Sequence, residues 1–132
     1  MKRSAHAFTI IELLMVIAII WILVSIAIPS YKQYTEKARF SEVIMATTPF
    51  KTAVSLALQD GISMDELNEG ENGIPTAPNA TKNLDNITVK QGVITATATK
   101  QAGSYTFSLT PDENGSQWSV SGSCVEAGVC RK

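Results

Sequence analysis

The chain has 132 residues, 11 basic and 12 acidic, a net charge of −1, one histidine and two cysteines. That is length for one domain, and the charge balance excludes a dedicated nucleic-acid binder, which carries a basic excess. One His at position 6 and the pair Cys124 and Cys130 are too few for a His-based triad, a Cys/His dyad or a multi-ligand zinc site, so no catalytic, cofactor-binding or metal-ligating residue is predicted.

The apolar residues are concentrated at one end. A basic stub, residues 1–7, precedes a run in which 17 of the 19 residues 10–28 are apolar. As a helix, residues 8–28 would rise about 31 Å, close to the ~30 Å hydrocarbon thickness of a bilayer. A secretory signal peptide is the rival interpretation. Its cleavage site should follow the apolar region with small residues at A-x-A spacing. Ala5-His6-Ala7 has that spacing but precedes the run, and Ile28-Pro29-Ser30-Tyr31 follows it. The segment is therefore expected to remain in the mature protein. Basic residues lie on both sides (Lys2 and Arg3 before, Lys32, Lys37 and Arg39 after), so charge does not set the orientation.

Glu12 is the exception inside the run. An ionised carboxylate there costs several kcal/mol at mid-bilayer and less at the interface. Either Glu12 sits one turn inside the interface and reaches the headgroups, or it pairs with a cation. No Lys or Arg lies between Arg3 and Lys32, so a same-helix side-chain partner is absent. Cleavage just before Phe8 would create a free amine, which on a staggered neighbouring helix would neutralise Glu12 and fix the register between chains. Farther along, Pro29 lacks an N–H and frees the Ser25 carbonyl. That favours either a simple kink at the membrane exit or local unwinding, placed between Leu23 and Pro29.

Ala7-Phe8-Thr9-Ile10-Ile11-Glu12-Leu13-Leu14, the apolar run and Pro29-Ser30-Tyr31-Lys32-Gln33-Tyr34 together resemble a type IV pilin precursor, most closely the type IVa branch. The resemblance implies cleavage by a prepilin peptidase between Ala7 and Phe8, N-methylation of Phe8, and a Glu12 pair with a neighbouring subunit's N-terminus. It also implies a filament whose core is a bundle of these helices. Two positions depart from the family pattern: Ala7 where glycine usually precedes the cut, and Trp21 where glycine usually accompanies local helix melting.

The spacing of Phe40, Val43, Thr47, Phe50, Val54, Ala57 and Leu58 predicts that the helix continues as an amphipathic segment over 29–60, bent at Pro49 and stopped by Gly61. Residues 61–84 read as an acidic loop whose spacing matches no EF-hand, with Ser63-x-x-Glu66 able to cap a short turn. Strand-like runs follow at 86–90, 93–99, 104–110 and 117–121, joined by short turns and therefore antiparallel. One face, carrying Val93, Tyr105, Phe107, Leu109, Trp118 and Val120, needs cover, and the amphipathic helix is the cover available. The predicted fold is α+β: one long N-terminal helix packed on a four-stranded antiparallel sheet spanning 85–123, with a C-terminal loop and tail at 124–132.

Cys124 and Cys130 are a disulfide or two inert thiols. Closing that loop would contribute roughly 2 to 2.5 kcal/mol and would place the head in an oxidising compartment. By resemblance, a C-terminal disulfide loop in type IVa pilins makes contacts, so residues 125–129 are a candidate contact loop. Arg131 and Lys132 are read as solubilising, and nucleic-acid binding has no support from charge. The sequons at Asn79, Asn86 and Asn114 are uninformative.

The sequence thus points to a non-enzymatic structural subunit. The resemblance implies a precursor held in the inner membrane, surrounded by lipid before assembly, and built into a homo-oligomeric helical surface filament. Its partners would be prepilin peptidase and an inner-membrane assembly platform with assembly and retraction ATPases. Its uses would be adhesion, twitching motility or DNA uptake. The alternatives are a pseudopilin of a type II secretion system and a monomeric, membrane-anchored extracytoplasmic binding domain.

Overall fold

The computed structural model describes residues 7–132; the residues before Ala7, with Lys2, Arg3 and His6, lie outside the described residues. The chain forms two units, one ending at Tyr34 and one running from Thr35 to Lys132. Helix α1, Ile10–Ala46, belongs to both, and every position in it is helical, Trp21, Ser25 and Pro29 included. Ser25 Oγ donates to the Ile22 carbonyl at 2.7 Å.

The periodicity predicted one helix bent at Pro49. The structure instead has a second helix, α2, Thr48–Gln59, separated from α1 by Thr47 alone. The Thr47 N–H and hydroxyl both donate to the Ile44 carbonyl, at 3.1 and 2.6 Å, and this tightens the end of α1. Pro49 then falls in the first turn of α2, where its missing N–H would have had no intrahelical partner anyway. The Asp60 and Gly61 N–H groups close α2 onto the Leu56 and Leu58 carbonyls, with Gly61 at φ +87°.

The sheet is an antiparallel meander, β1 (Leu84–Lys90), β2 (Val93–Ala98), β3 (Thr106–Pro111) and β4 (Trp118–Ser121), in the order β1-β2-β3-β4. β1 begins at Leu84, ahead of the predicted start, because Leu84 pairs with Ala98 across a bulge before the regular register from Asn86 onward. All seven helix positions read from the sequence as one apolar face, from Phe40 to Leu58, are buried. Phe40 meets Tyr105 and Phe107 edge to face, at centroid distances of 5.7 and 6.5 Å, a favoured aromatic geometry. In β2 the inward residues are Ile94, Ala96 and Ala98, with Val93 only half-buried. Val93 is therefore misassigned by the sequence reading. The two-residue period runs through the threonines, and the outward Thr95 Oγ1 lies 3.3 Å from Ser108 Oγ on the neighbouring strand.

The acidic stretch after α2 contains a 3-10 turn at Met64–Glu66, but Ser63 caps it with no side-chain bond. The turn is closed by backbone bonds alone: the Glu66 and Leu67 N–H groups donate to the Ser63 and Met64 carbonyls. Leu67 and Ile74 insert into the core from this stretch.

At the C-terminus, Cys124 and Cys130 form the disulfide, with Cα atoms 5.3 Å apart. The loop they close begins with one helical turn, α3, Ser123–Glu126. The Ser123 hydroxyl accepts the Thr106 N–H at 2.9 Å, and the Thr106 hydroxyl accepts the Ser123 N–H at 3.1 Å, which ties α3 to the start of β3. This close approach is possible because residue 122 is glycine. A Cβ there would lie 2.4 Å from the Thr106 carbonyl oxygen, and φ is +115°. Gly128 also has positive φ but open space around it.

Gly122→Ala is therefore expected to cost about 3 kcal/mol and Gly128→Ala only about 1 to 2 kcal/mol of backbone strain, measured by circular-dichroism melts in detergent. The β3–β4 turn carries a pH dependence. Desolvation pushes the Asp112 carboxyl up, but bonds from the Ser116 hydroxyl and from the Gln117, Ser116 and Gly115 backbone outweigh it and leave the pKa below the ordinary value. A carboxyl whose folded pKa is lowered stabilises fully above the ordinary range, and the contribution is lost as pH falls below about 4. Asp112→Asn should flatten the acid limb of a melting-temperature profile.

Candidate functional site

The site begins where the apolar run meets its one acid. In the unit ending at Tyr34, the large apolar side chains of the run are exposed, from 88% at Phe8 to 39% at Val24. Among the described residues, one helix is long and apolar enough to cross a membrane by length and composition. Leaving such side chains in water costs on the order of 1.5 to 3 kcal/mol each, so this surface requires lipid or protein cover.

Glu12 is held at the top of that helix by its own chain. The Thr9 N–H donates to Glu12 Oε2 at 2.8 Å, and the Glu12 N–H donates to Thr9 Oγ1 at 3.2 Å. With Thr9 before the first helical residue, Ile10, and Glu12 as the third, this is a reciprocal capping box. It satisfies two backbone donors and puts a negative charge at the positive end of the helix. The signal was present in the sequence as Thr9-x-x-Glu12, but Thr9 was counted there as part of the greasy segment. Ala7 and Phe8 are described and exposed, and lie just before the helix. The structure thus brings Phe8, Thr9 and Glu12 together at one helix terminus. Ser25 and Pro29 lie farther along the same helix, and the disulfide pair lies in the other unit. Among the described residues, no group of three or more His, Cys, Asp or Glu side chains could hold a metal ion.

Residues 2–28 match the prokaryotic N-terminal methylation motif, and residues 37–129, more than half the chain, match the pilin model of bacterial filament proteins. The chain belongs to the pilin family. Prepilin peptidase-dependent protein D of Escherichia coli (strain K12) is 36% identical over 106 residues, covering 80% of this chain and 72% of that protein. The type IV pilus subunit protein TapA of Aeromonas hydrophila is 39% identical over 80 residues, 61% of this chain and 56% of TapA. A type IV major pilin PilE1 of Neisseria gonorrhoeae is 40% identical over 97 residues, 73% of this chain but 45% of PilE1. The chain therefore spans only about half the length of the latter two. The solution structure of the major type IV pilin PpdD from enterohemorrhagic Escherichia coli matches with a TM-score of 0.54 at 26% identity, covering 67% of this chain and 70% of that one. Pilins are structural subunits rather than enzymes, and the long N-terminal helix, four-stranded antiparallel sheet and C-terminal disulfide of this pilin are that fold.

The capping box makes Thr9 a positioning residue for Glu12. Thr9→Ala removes the acceptor of the Glu12 N–H and should cost about 1 kcal/mol of helix-end stability. Amide exchange at Glu12 should quicken about fivefold, as measured by hydrogen exchange in detergent.

Proposed function

We propose that this pilin is the repeating subunit of a type IV pilus. Residues 8–28 hold the precursor in the inner membrane, with the disulfide-bonded head on the oxidising side. Prepilin peptidase cuts between Ala7 and Phe8, the new Phe8 amine is N-methylated, and an assembly platform with its ATPases lifts the chain into a surface filament. Adhesion, twitching motility and DNA uptake are the uses such a filament would serve.

The observation that carries this reading is the conjunction at the helix N-terminus: an exposed apolar surface whose only carboxylate sits beside the expected cut. Glu12 Oε2 already accepts one backbone N–H, and a carboxylate has lone pairs for further donors. The cationic Phe8 amine of a neighbouring, staggered chain is a charge-assisted donor for them. Removal of lipid would otherwise strand both the charge and the apolar side chains, so pairing favours one stagger over the others. In the assembled filament the helix would either kink at Pro29 or unwind between Leu23 and Pro29.

Glu12→Ala separates a filament subunit from a monomeric anchored domain. Filament recovered by shearing cells should fall at least about tenfold while the membrane level of the protein holds, since loss of one member of a buried ion pair typically costs 3–5 kcal/mol. A wild-type yield of sheared filament would contradict the assignment of Glu12 to assembly.

A further inference from the structure

The tripeptide Glu-Asn-Gly occurs twice in this chain, as Glu71-Asn72-Gly73 and as Glu113-Asn114-Gly115. In an Asn-Gly pair the glycine nitrogen can attack the preceding side-chain amide with little hindrance, because glycine brings no Cβ to the approach. With the same residue on either side, the local sequence gives both asparagines the same intrinsic reactivity. The fold treats them differently.

In the β3–β4 turn the attacking nitrogen is locked. The Gly115 N–H donates to the Asp112 carbonyl at 3.1 Å, and the Gly115 carbonyl accepts the Ser55 hydroxyl at 3.0 Å. Gly115 is buried against α2, so closely that a Cβ there would lie 3.0 Å from the Ser55 Cα. The Ser116 N–H and hydroxyl are both held by the Asp112 carboxylate, each at 2.9 Å. Residues 71–74 form a different turn. Asn72 and Gly73 have φ +50° and +82°, and the Ile74 N–H closes onto the Glu71 carbonyl at 2.9 Å, the type I′ pattern that favours Asn-Gly. Gly73 is exposed, nothing beyond its chain neighbours lies within 4 Å of where its Cβ would be, and its N–H has no acceptor among the described residues. Asn72 is exposed too, tied by one side-chain bond from Nδ2 to the Glu66 carbonyl at 2.7 Å.

We propose that Asn72 is a site of spontaneous deamidation and that the fold protects Asn114 from the same reaction. The Gly73 nitrogen gives up its proton and bonds to the Asn72 side-chain carbonyl carbon, and the bond from that carbon to Nδ2 breaks. Nδ2 leaves as ammonia with the proton, and a succinimide remains. Water then opens the ring at either carbonyl, giving aspartate or isoaspartate. Either product loses the donor to the Glu66 carbonyl and adds a carboxylate to a stretch that already holds Asp65, Glu66, Glu69 and Glu71. Isoaspartate also lengthens the main chain inside the turn that seats the buried Ile74. The inference rests on the head alone and is independent of the filament reading.

The test follows both sites by peptide mass spectrometry while the full chain ages in detergent and mildly alkaline buffer. Deamidation exchanges NH for O, which sets the mass change, and chromatography separates the aspartyl from the isoaspartyl peptide. In the folded chain Asn72 should convert at least about tenfold faster than Asn114, because reaching the Gly115 nitrogen requires opening its bonds and its buried contact with α2. In the same chain unfolded in urea, the two rates should agree to within about threefold, since the protecting contacts are gone. Equal rates in the folded chain, a faster Asn114, or an Asn72 that stays intact while the unfolded chain converts overturns the proposal. A gap that survives unfolding also overturns it, because the difference would then lie in the sequence and not in the fold.

Discussion

Residues 10–28 present apolar side chains around the whole circumference of a helix, and among the described residues of their unit nothing covers them. That constraint governs how the chain is housed and assembled. A helix apolar on all sides is stable only in hydrocarbon or among other helices, so the chain has two admissible environments, the bilayer and a bundle of its own copies. The head solves a separate problem with conventional means: one face of α1 and α2 seals one face of a four-stranded sheet, and a disulfide pins the end that would otherwise fray. The two units therefore differ in what they need. The head is complete by itself, whereas the helix is complete only in company.

The polar groups at the top of the helix tell the two environments apart. The Thr9–Glu12 capping box keeps the carboxylate engaged with its own backbone while the chain is single, lowering the cost of a charge near the membrane interface. Because the same carboxylate retains unused acceptor capacity, a neighbour's amine can be added without dismantling the cap. On the proposed assembly, a chain could therefore be stored in lipid and still be ready to register against another. In the proposed filament, apolar packing would supply most of the attraction but little preference among staggers, and the paired Glu12 carboxylate would supply the preference.

Much of this was legible in the sequence because periodicity is a local property. The spacing of Phe40, Val43, Phe50 and Val54 identified the buried helix face correctly, and short turns fixed an antiparallel meander. What escaped depended on competition between neighbours. Pro49 invited a bend, but the Thr47 hydroxyl, by bonding to the Ile44 carbonyl, turned the bend into a helix boundary. Val93 is as apolar as Ile94, and only the phase of Ala96 and Ala98 shows which of the two faces inward. The same four-residue signature was read at Ser63-x-x-Glu66, where no side-chain cap bond forms, and overlooked at Thr9-x-x-Glu12, where two do. The difference is that a full helix follows Thr9, with donors in need of partners, whereas one 3-10 turn follows Ser63.

In the proposed pilus, residues 8–28 leave the membrane as the processed core of a surface filament. The most direct test is the intact mass of protein sheared from cells. A processed filament subunit should begin at Phe8, carry one added methyl group and lack two hydrogens for the Cys124–Cys130 disulfide. An empty shear fraction, with membrane-bound protein still beginning at Met1, would contradict it.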